Sequence, residues 1–72
     1  MSHPDLARIE AELDAALAAK DAKRFSDGMY ELDRFLTIAY DAGVHNDASY
    51  DAAELFVWGS EQYDILTGVA HV

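Results

Sequence analysis

The sequence predicts an all-α fold, a single domain over residues 1–72 in which a helical hairpin packs against a third helix. Apolar residues recur at helical spacing along most of the chain, and turn-forming residues interrupt that spacing between the predicted helices. A chain of 72 residues without cysteine has no disulfide or thiolate metal site to stabilise it. We therefore expect dimerisation to complete the fold.

The first helix is predicted over about residues 4–19. Ser2 is placed to cap it, with Asp5 three residues on as a capping-box partner and Pro4 in the first turn. One apolar stripe comprises Leu6, Ile9, Leu13, Ala16 and Leu17. A second, shallow stripe comprises Ala7, Ala11, Ala15 and Ala18. These alanines serve helix propensity or let another helix approach closely, and we favour the first interpretation.

The second helix is predicted over about residues 22–42. A turn at Lys20-Asp21, with the aspartate as helix cap, competes with a turn at Ser26-Asp27-Gly28. We favour the first turn because one apolar stripe continues in phase through Gly28, at a cost of about 1 kcal/mol for the glycine. That stripe comprises Phe25, Met29, Leu32, Leu36 and Ala39.

The next connection is predicted from its turn residues. Gly43 followed by Val44 is typical of a Schellman ending to the second helix. Asn46 or Asp47 is then placed to cap the third helix, which is predicted over about residues 48–67 and ends at Gly68.

The segment Leu55-Phe56-Val57-Trp58 is the most informative part of the third helix. Neighbouring residues of a helix point about 100° apart, so no single face covers all four side chains. A strand is the alternative, but no partner strand is predicted nearby. The helical interpretation gives a core stripe of Ala52, Phe56, Gly59, Tyr63 and Leu66. It also gives a second stripe of Leu55, Trp58, Gln62 and Ile65.

The second helix also has a surplus apolar face, formed by Phe35, Ile38 and Ala42. A helix that packs between two neighbouring helices buries two apolar faces. This explains the surplus face of the second helix more easily than that of the third. Contiguous apolar patches on small proteins usually mark interfaces. We therefore favour a homodimer whose contacts include Phe35, Ile38, Leu55 and Trp58. The alternative is that these surfaces bind an obligatory partner of another kind. The core is expected to depend on Leu13, Leu32, Leu36 and Phe56.

The charge is strongly negative and unevenly spread. The formal net charge is −9, and no lysine or arginine follows Arg34. Such a surface repels phosphate, so neither direct nucleic-acid binding nor binding to an anionic membrane is expected. Carboxylates of the third helix flank Trp58, which indicates either a solvated acidic face or a surface for a basic protein. The predicted partner-binding residues are Asp47, Asp51, Glu54, Leu55, Trp58, Glu61, Gln62 and Ile65.

No motif for catalysis or ligand binding is present. His3, His45 and His71 form no pair at metal-ligand spacing, and the glycines form no phosphate loop. We therefore expect no enzymatic activity and no catalytic, cofactor or metal site. No basic amino-terminal region or long apolar segment indicates a signal peptide or membrane span, so a cytoplasmic protein is expected.

These observations predict a non-enzymatic protein that binds and modulates another protein. Its most concrete form is an acidic inhibitor or anti-activator that covers the basic functional surface of a regulatory or nucleic-acid-binding protein. By size and charge alone the chain resembles phage accessory proteins. One alternative is a structural or assembly subunit of a larger helical complex. A second alternative is a small helical protein that binds a metal or another ligand.

Overall fold

A computed structural model of the chain describes residues 3–68. It contains three helices, α1 (Pro4–Ala18), α2 (Ala22–Asp41) and α3 (Asp47–Thr67), and each helix contacts both others. No strand occurs among the described residues, which confirms the all-α prediction and excludes a strand at 55–58. Short connections make consecutive helices antiparallel, so α1 and α3 run in the same direction.

The turn between α1 and α2 lies at 19–21, and Gly28 lies inside α2. The N–H of Lys20 donates to the carbonyl of Leu17 at 3.1 Å, and the N–H of Asp21 donates to that of Ala16 at 3.0 Å. These two bonds form a Schellman ending without glycine. Lys20 consequently has a φ of +55°, in the left-handed region where a side chain costs roughly 1–2 kcal/mol.

The connection between α2 and α3 has the predicted Schellman ending. Gly43 has a φ of +70° and donates its N–H to Tyr40, while Val44 donates to Ala39. Asn46 rather than Asp47 caps α3. The N–H of Ser49 donates to Asn46 Oδ1 at 3.1 Å, and the N–H of Asn46 donates to Ser49 Oγ at 3.0 Å. The start of α3 is thus fixed by a capping box.

The predicted cap of α1 was wrong. His3 caps this helix, and its Nδ1 accepts a hydrogen bond from the Asp5 N–H at 3.2 Å. Ser2 lies outside the described residues. The imidazole also packs edge-on against Phe35, with 5.2 Å between ring centroids. This contact holds the ring beside the first turn, where Nδ1 takes the place of the expected hydroxyl oxygen.

The core lies between the three helices. Its buried apolar residues are Leu6, Ile9, Leu13, Ala16, Phe25, Leu32, Leu36 and Ala52. Two buried glycines leave room for side chains of the neighbouring helices. A Cβ on Gly28 would lie 2.8 Å from Leu13 Cδ2, and a Cβ on Gly59 would overlap Met29 Sδ. Gly28 therefore serves the packing of α1 on α2, which offsets its low helix propensity.

Phe56 differs from the other three residues expected to form the core. It is half-buried and packs against the edge of the cluster, whereas Leu13 and Leu32 are fully buried. The small residues Ser49, Ala52 and Gly59 occupy the buried positions of α3, which leaves Phe56 at the margin.

Between His3 and Gly68, no helix is both long enough and apolar enough to cross a bilayer.

Candidate functional site

The structure divides the apolar segment Leu55-Phe56-Val57-Trp58 among three environments. Leu55 and Trp58 are half-buried against the core, and the indole lies 6.4 Å from the ring of Phe25 between centroids. Phe56 packs at the core margin, and Val57 is 60% exposed. One copy therefore covers Leu55 and Trp58 only in part. These two side chains line a space that α3 shares with α1.

That space is a groove between α1 and α3, with a volume of about 500 Å³. Its floor and walls comprise Leu6, Ala7, Glu10, Ala11, Asp14, Asp51, Glu54, Leu55 and Trp58. We call this site the acidic groove. Apolar side chains from both helices meet in it beside carboxylates, so it is a concave surface with a mixed polar and apolar lining.

Carboxylates stand on both walls of the acidic groove. Glu10 and Asp14 lie four residues apart on α1, and Asp51 and Glu54 lie three residues apart on α3. Each spacing places the pair on one helical face. All four residues are exposed, and no lysine or arginine lines the groove. A concave surface lined by one sign of charge concentrates the electrostatic potential and attracts cationic groups.

Sequence reasoning missed the contribution of α1 to this site. Ala7, Glu10, Ala11 and Asp14 follow the i, i+3, i+4, i+7 pattern of one helical face. The alanine stripe was visible in the sequence, although we interpreted it as helix propensity. The sequence does not show that this face of α1 borders α3, because the rotation of one packed helix against another depends on the whole core.

The structure brings together the middle of the predicted partner-binding set. Asp51, Glu54, Leu55 and Trp58 line the acidic groove. The other four predicted residues do not line it: Asp47, Glu61, Gln62 and Ile65. Asp47 is the first residue of α3, and Ile65 near its other end is 72% exposed. The predicted set thus extends along α3 beyond both ends of the groove.

The residues predicted for self-association fall on two separate surfaces. Leu55 and Trp58 line the acidic groove, whereas Phe35 and Ile38 line a different cavity of about 360 Å³. That cavity is framed by the start of α1, the end of α2 and the start of α3. We call four of its apolar residues the apolar end: Phe35, Ile38, Ala42 and Val44. Ile38 is 63% exposed and Phe35 is half-buried.

The basic residue Arg8 lies on the other flank of α1, towards α2. Its Nη1 lies 2.8 Å from Glu31 Oε2 and 3.1 Å from Glu12 Oε1. Hydrogen bonds with Glu31 and then with Glu12 raise the pKa of Arg8 above its already high ordinary value. Arg8 and Arg34 both line a shallow depression between α1 and α2. These two cations are therefore directed away from the acidic groove.

Within residues 3–68, no three histidine, cysteine, aspartate or glutamate side chains are grouped so that they could hold a metal ion. No protein-family model matches the chain, and no curated protein or solved structure matches it either. The acidic groove is therefore the feature of the described fold that points to a function.

Proposed function

We propose that this chain is a non-enzymatic modulator of another protein, acting in the cytoplasm as an acidic inhibitor or anti-activator. It binds the basic functional surface of a regulatory or nucleic-acid-binding protein and covers it. The observation that supports this proposal is the acidic groove, in which Leu55 and Trp58 lie between carboxylates of α1 and α3.

The groove combines the two features that a basic protein surface requires. Its carboxylates accept hydrogen bonds from lysine and arginine, the same side chains that otherwise contact phosphate. Its apolar floor adds surface that loses water when a partner binds, and a half-buried tryptophan is a common centre of binding energy. The carboxylates should mainly speed encounter, and Trp58 should mainly slow release.

Self-association belongs, in this proposal, to the apolar end rather than to the groove. Pairing two grooves would bring the carboxylates of both copies together, which opposes association. The cavity at the apolar end has one carboxylate-bearing residue among those that line it, Asp5. A homodimer formed there leaves the groove open for the basic partner.

Affinity capture with matched variants tests the proposal. The wild-type chain is compared with Trp58→Ala and with Asp51→Asn combined with Glu54→Gln. Val57→Ala is the control, because Val57 is on the same helix, 60% exposed, and outside the groove. Circular dichroism confirms that each variant is folded before capture.

The expected partner is a basic protein retained by the wild type and by Val57→Ala and released by both groove variants. Its binding to nucleic acid or to its own target should fall when the wild-type chain is added. Equal retention by all four proteins, or an unchanged activity of the retained partner, would contradict the proposal.

A further inference from the structure

We infer that the acidic groove receives a single cationic amphipathic helix, which lies between α1 and α3 as a fourth helix. This inference rests on the proposed function, which requires a basic partner surface but no particular secondary structure. Four observations support a helical occupant: the shape of the walls, the small residues of the floor, the absence of a sheet edge and the spacing of the carboxylates.

The walls and floor of the groove suit a helix. Both walls are helices that run in the same direction, and the space between such helices accepts a third helix in bundles. Ala7 and Ala11 form the α1 side of the floor. Packed helices lie about 8–10 Å apart, and small side chains favour the close end of that range. Larger side chains of an incoming helix can therefore pack over these alanines and against Trp58.

An extended segment suits the groove less well. Extended peptides usually bind by adding a strand to an exposed sheet edge, whose backbone groups pair with theirs. No strand occurs among residues 3–68, so the described fold offers no such edge. A helix satisfies its own backbone hydrogen bonds and needs only side-chain partners. The chemistry of this groove, which presents side chains alone, therefore favours a helix.

The spacing of the carboxylates defines the charges of the occupant. Glu10 and Asp14 are separated by about 6 Å along α1, and Asp51 and Glu54 by about 4.5 Å along α3, at 1.5 Å per residue. Lysines or arginines three or four residues apart on a helix have the same separations. The expected occupant carries such a pair on each flank and an apolar stripe between them.

Peptide binding to the full chain tests this inference. One probe is a synthetic 18-residue peptide of leucine, alanine, lysine and glutamine arranged as an amphipathic helix with lysines on both flanks. The second probe has the same composition in an order that removes the apolar stripe. Trp58 is the only tryptophan of the chain, so its fluorescence reports binding in the groove directly.

A substitution in the floor separates groove binding from general attraction to a chain of net charge −9. Ala11→Phe fills the groove, while Ala15→Phe is the matched control. Both alanines are exposed, but only Ala11 lines the groove, and Ala15 lies one turn further along α1. Neither substitution changes charge or adds volume to the buried core.

The amphipathic peptide should bind the wild type and Ala15→Phe at least tenfold more tightly than the reordered peptide. It should gain helical circular dichroism and shift the Trp58 emission to shorter wavelength. Ala11→Phe should weaken its binding at least tenfold. Equal affinity for both peptides, or binding that Ala11→Phe does not weaken, would overturn the helical occupant. The capture experiment decides the proposed function separately, because it does not depend on the shape of the partner.

Discussion

The acidic groove and the apolar end both leave apolar side chains uncovered, but their surroundings differ. The groove places Trp58 between carboxylates on two helices. Among the residues that line the cavity at the apolar end, only Asp5 carries a carboxylate. Apolar area alone would make either surface an interface. The charge around each surface determines which partner it tolerates. We therefore propose that a second copy of this acidic chain binds at the apolar end rather than in the groove, and that a basic partner binds in the groove.

Both surfaces depend on one small core, so a core substitution should remove them together. Leu32 is fully buried, and Leu32→Ala should lower the free energy of unfolding by about 2–5 kcal/mol through lost burial and the cavity that remains. Thermal denaturation followed by circular dichroism measures this change. Ile65→Ala is the control, because Ile65 is 72% exposed and should change stability little. An unchanged thermal midpoint for Leu32→Ala would show that the assigned core is wrong.

The apolar end should control self-association. Ile38→Asp removes an exposed apolar side chain and adds a charge in each copy. Burying one isoleucine is worth about 1.5–3 kcal/mol, and a symmetric dimer counts it twice. We therefore expect the dimer dissociation constant to rise by more than about a hundredfold.

Size exclusion with light scattering measures the oligomeric state of Ile38→Asp. Trp58→Asp is the comparison, because Trp58 lines the groove and not the apolar end, so the dimer should stay intact. Circular dichroism first confirms that this variant is folded, since the indole also packs near Phe25. A monomeric wild type at micromolar concentration, or a dimer lost only in Trp58→Asp, would exclude the apolar end as the dimer interface. In partner capture, Trp58→Asp should release the partner and Ile38→Asp should retain it.

Charge in the groove should change association more than dissociation. Asp51→Asn combined with Glu54→Gln should lower the on-rate for a basic partner about tenfold at low salt, with a smaller change in the off-rate. Asp33→Asn combined with Asp41→Asn is the control with equal net charge, since both residues are exposed and outside the groove. Surface plasmon resonance at several salt concentrations measures both rates. Equal on-rates for the two double variants would mean that net charge alone, rather than the groove, attracts the partner.

The fold could be predicted further from the sequence than the site could. Local signals give helices and turns, such as the Schellman ending at Gly43 and the in-phase stripe that continues through Gly28. The site depends on how helices are rotated against each other, which is a property of the whole core. For this reason the sequence did not show that the face of α1 with Glu10 and Asp14 lies beside Trp58. The cap at His3 was also missed, because its support comes from Phe35 on another helix.

The smallest predicted effect tests whether the two surfaces are independent of overall stability. Lys20 lies in the turn between α1 and α2 with a φ of +55°, far along the chain from the groove residues of α3. Lys20→Gly relieves the steric cost of that conformation and should raise the free energy of unfolding by about 1 kcal/mol, or roughly 4–8 °C in thermal midpoint. Dimer affinity and partner affinity should both stay at wild-type values, because neither surface includes this turn. Ala19→Gly is the control, since Ala19 has a φ of −81° and gains nothing from glycine. The contrary result is that Lys20→Gly strengthens one of the two associations. That surface would then be only partly ordered before binding, and its affinity would depend on the stability of the fold as well as on the contacts with the partner.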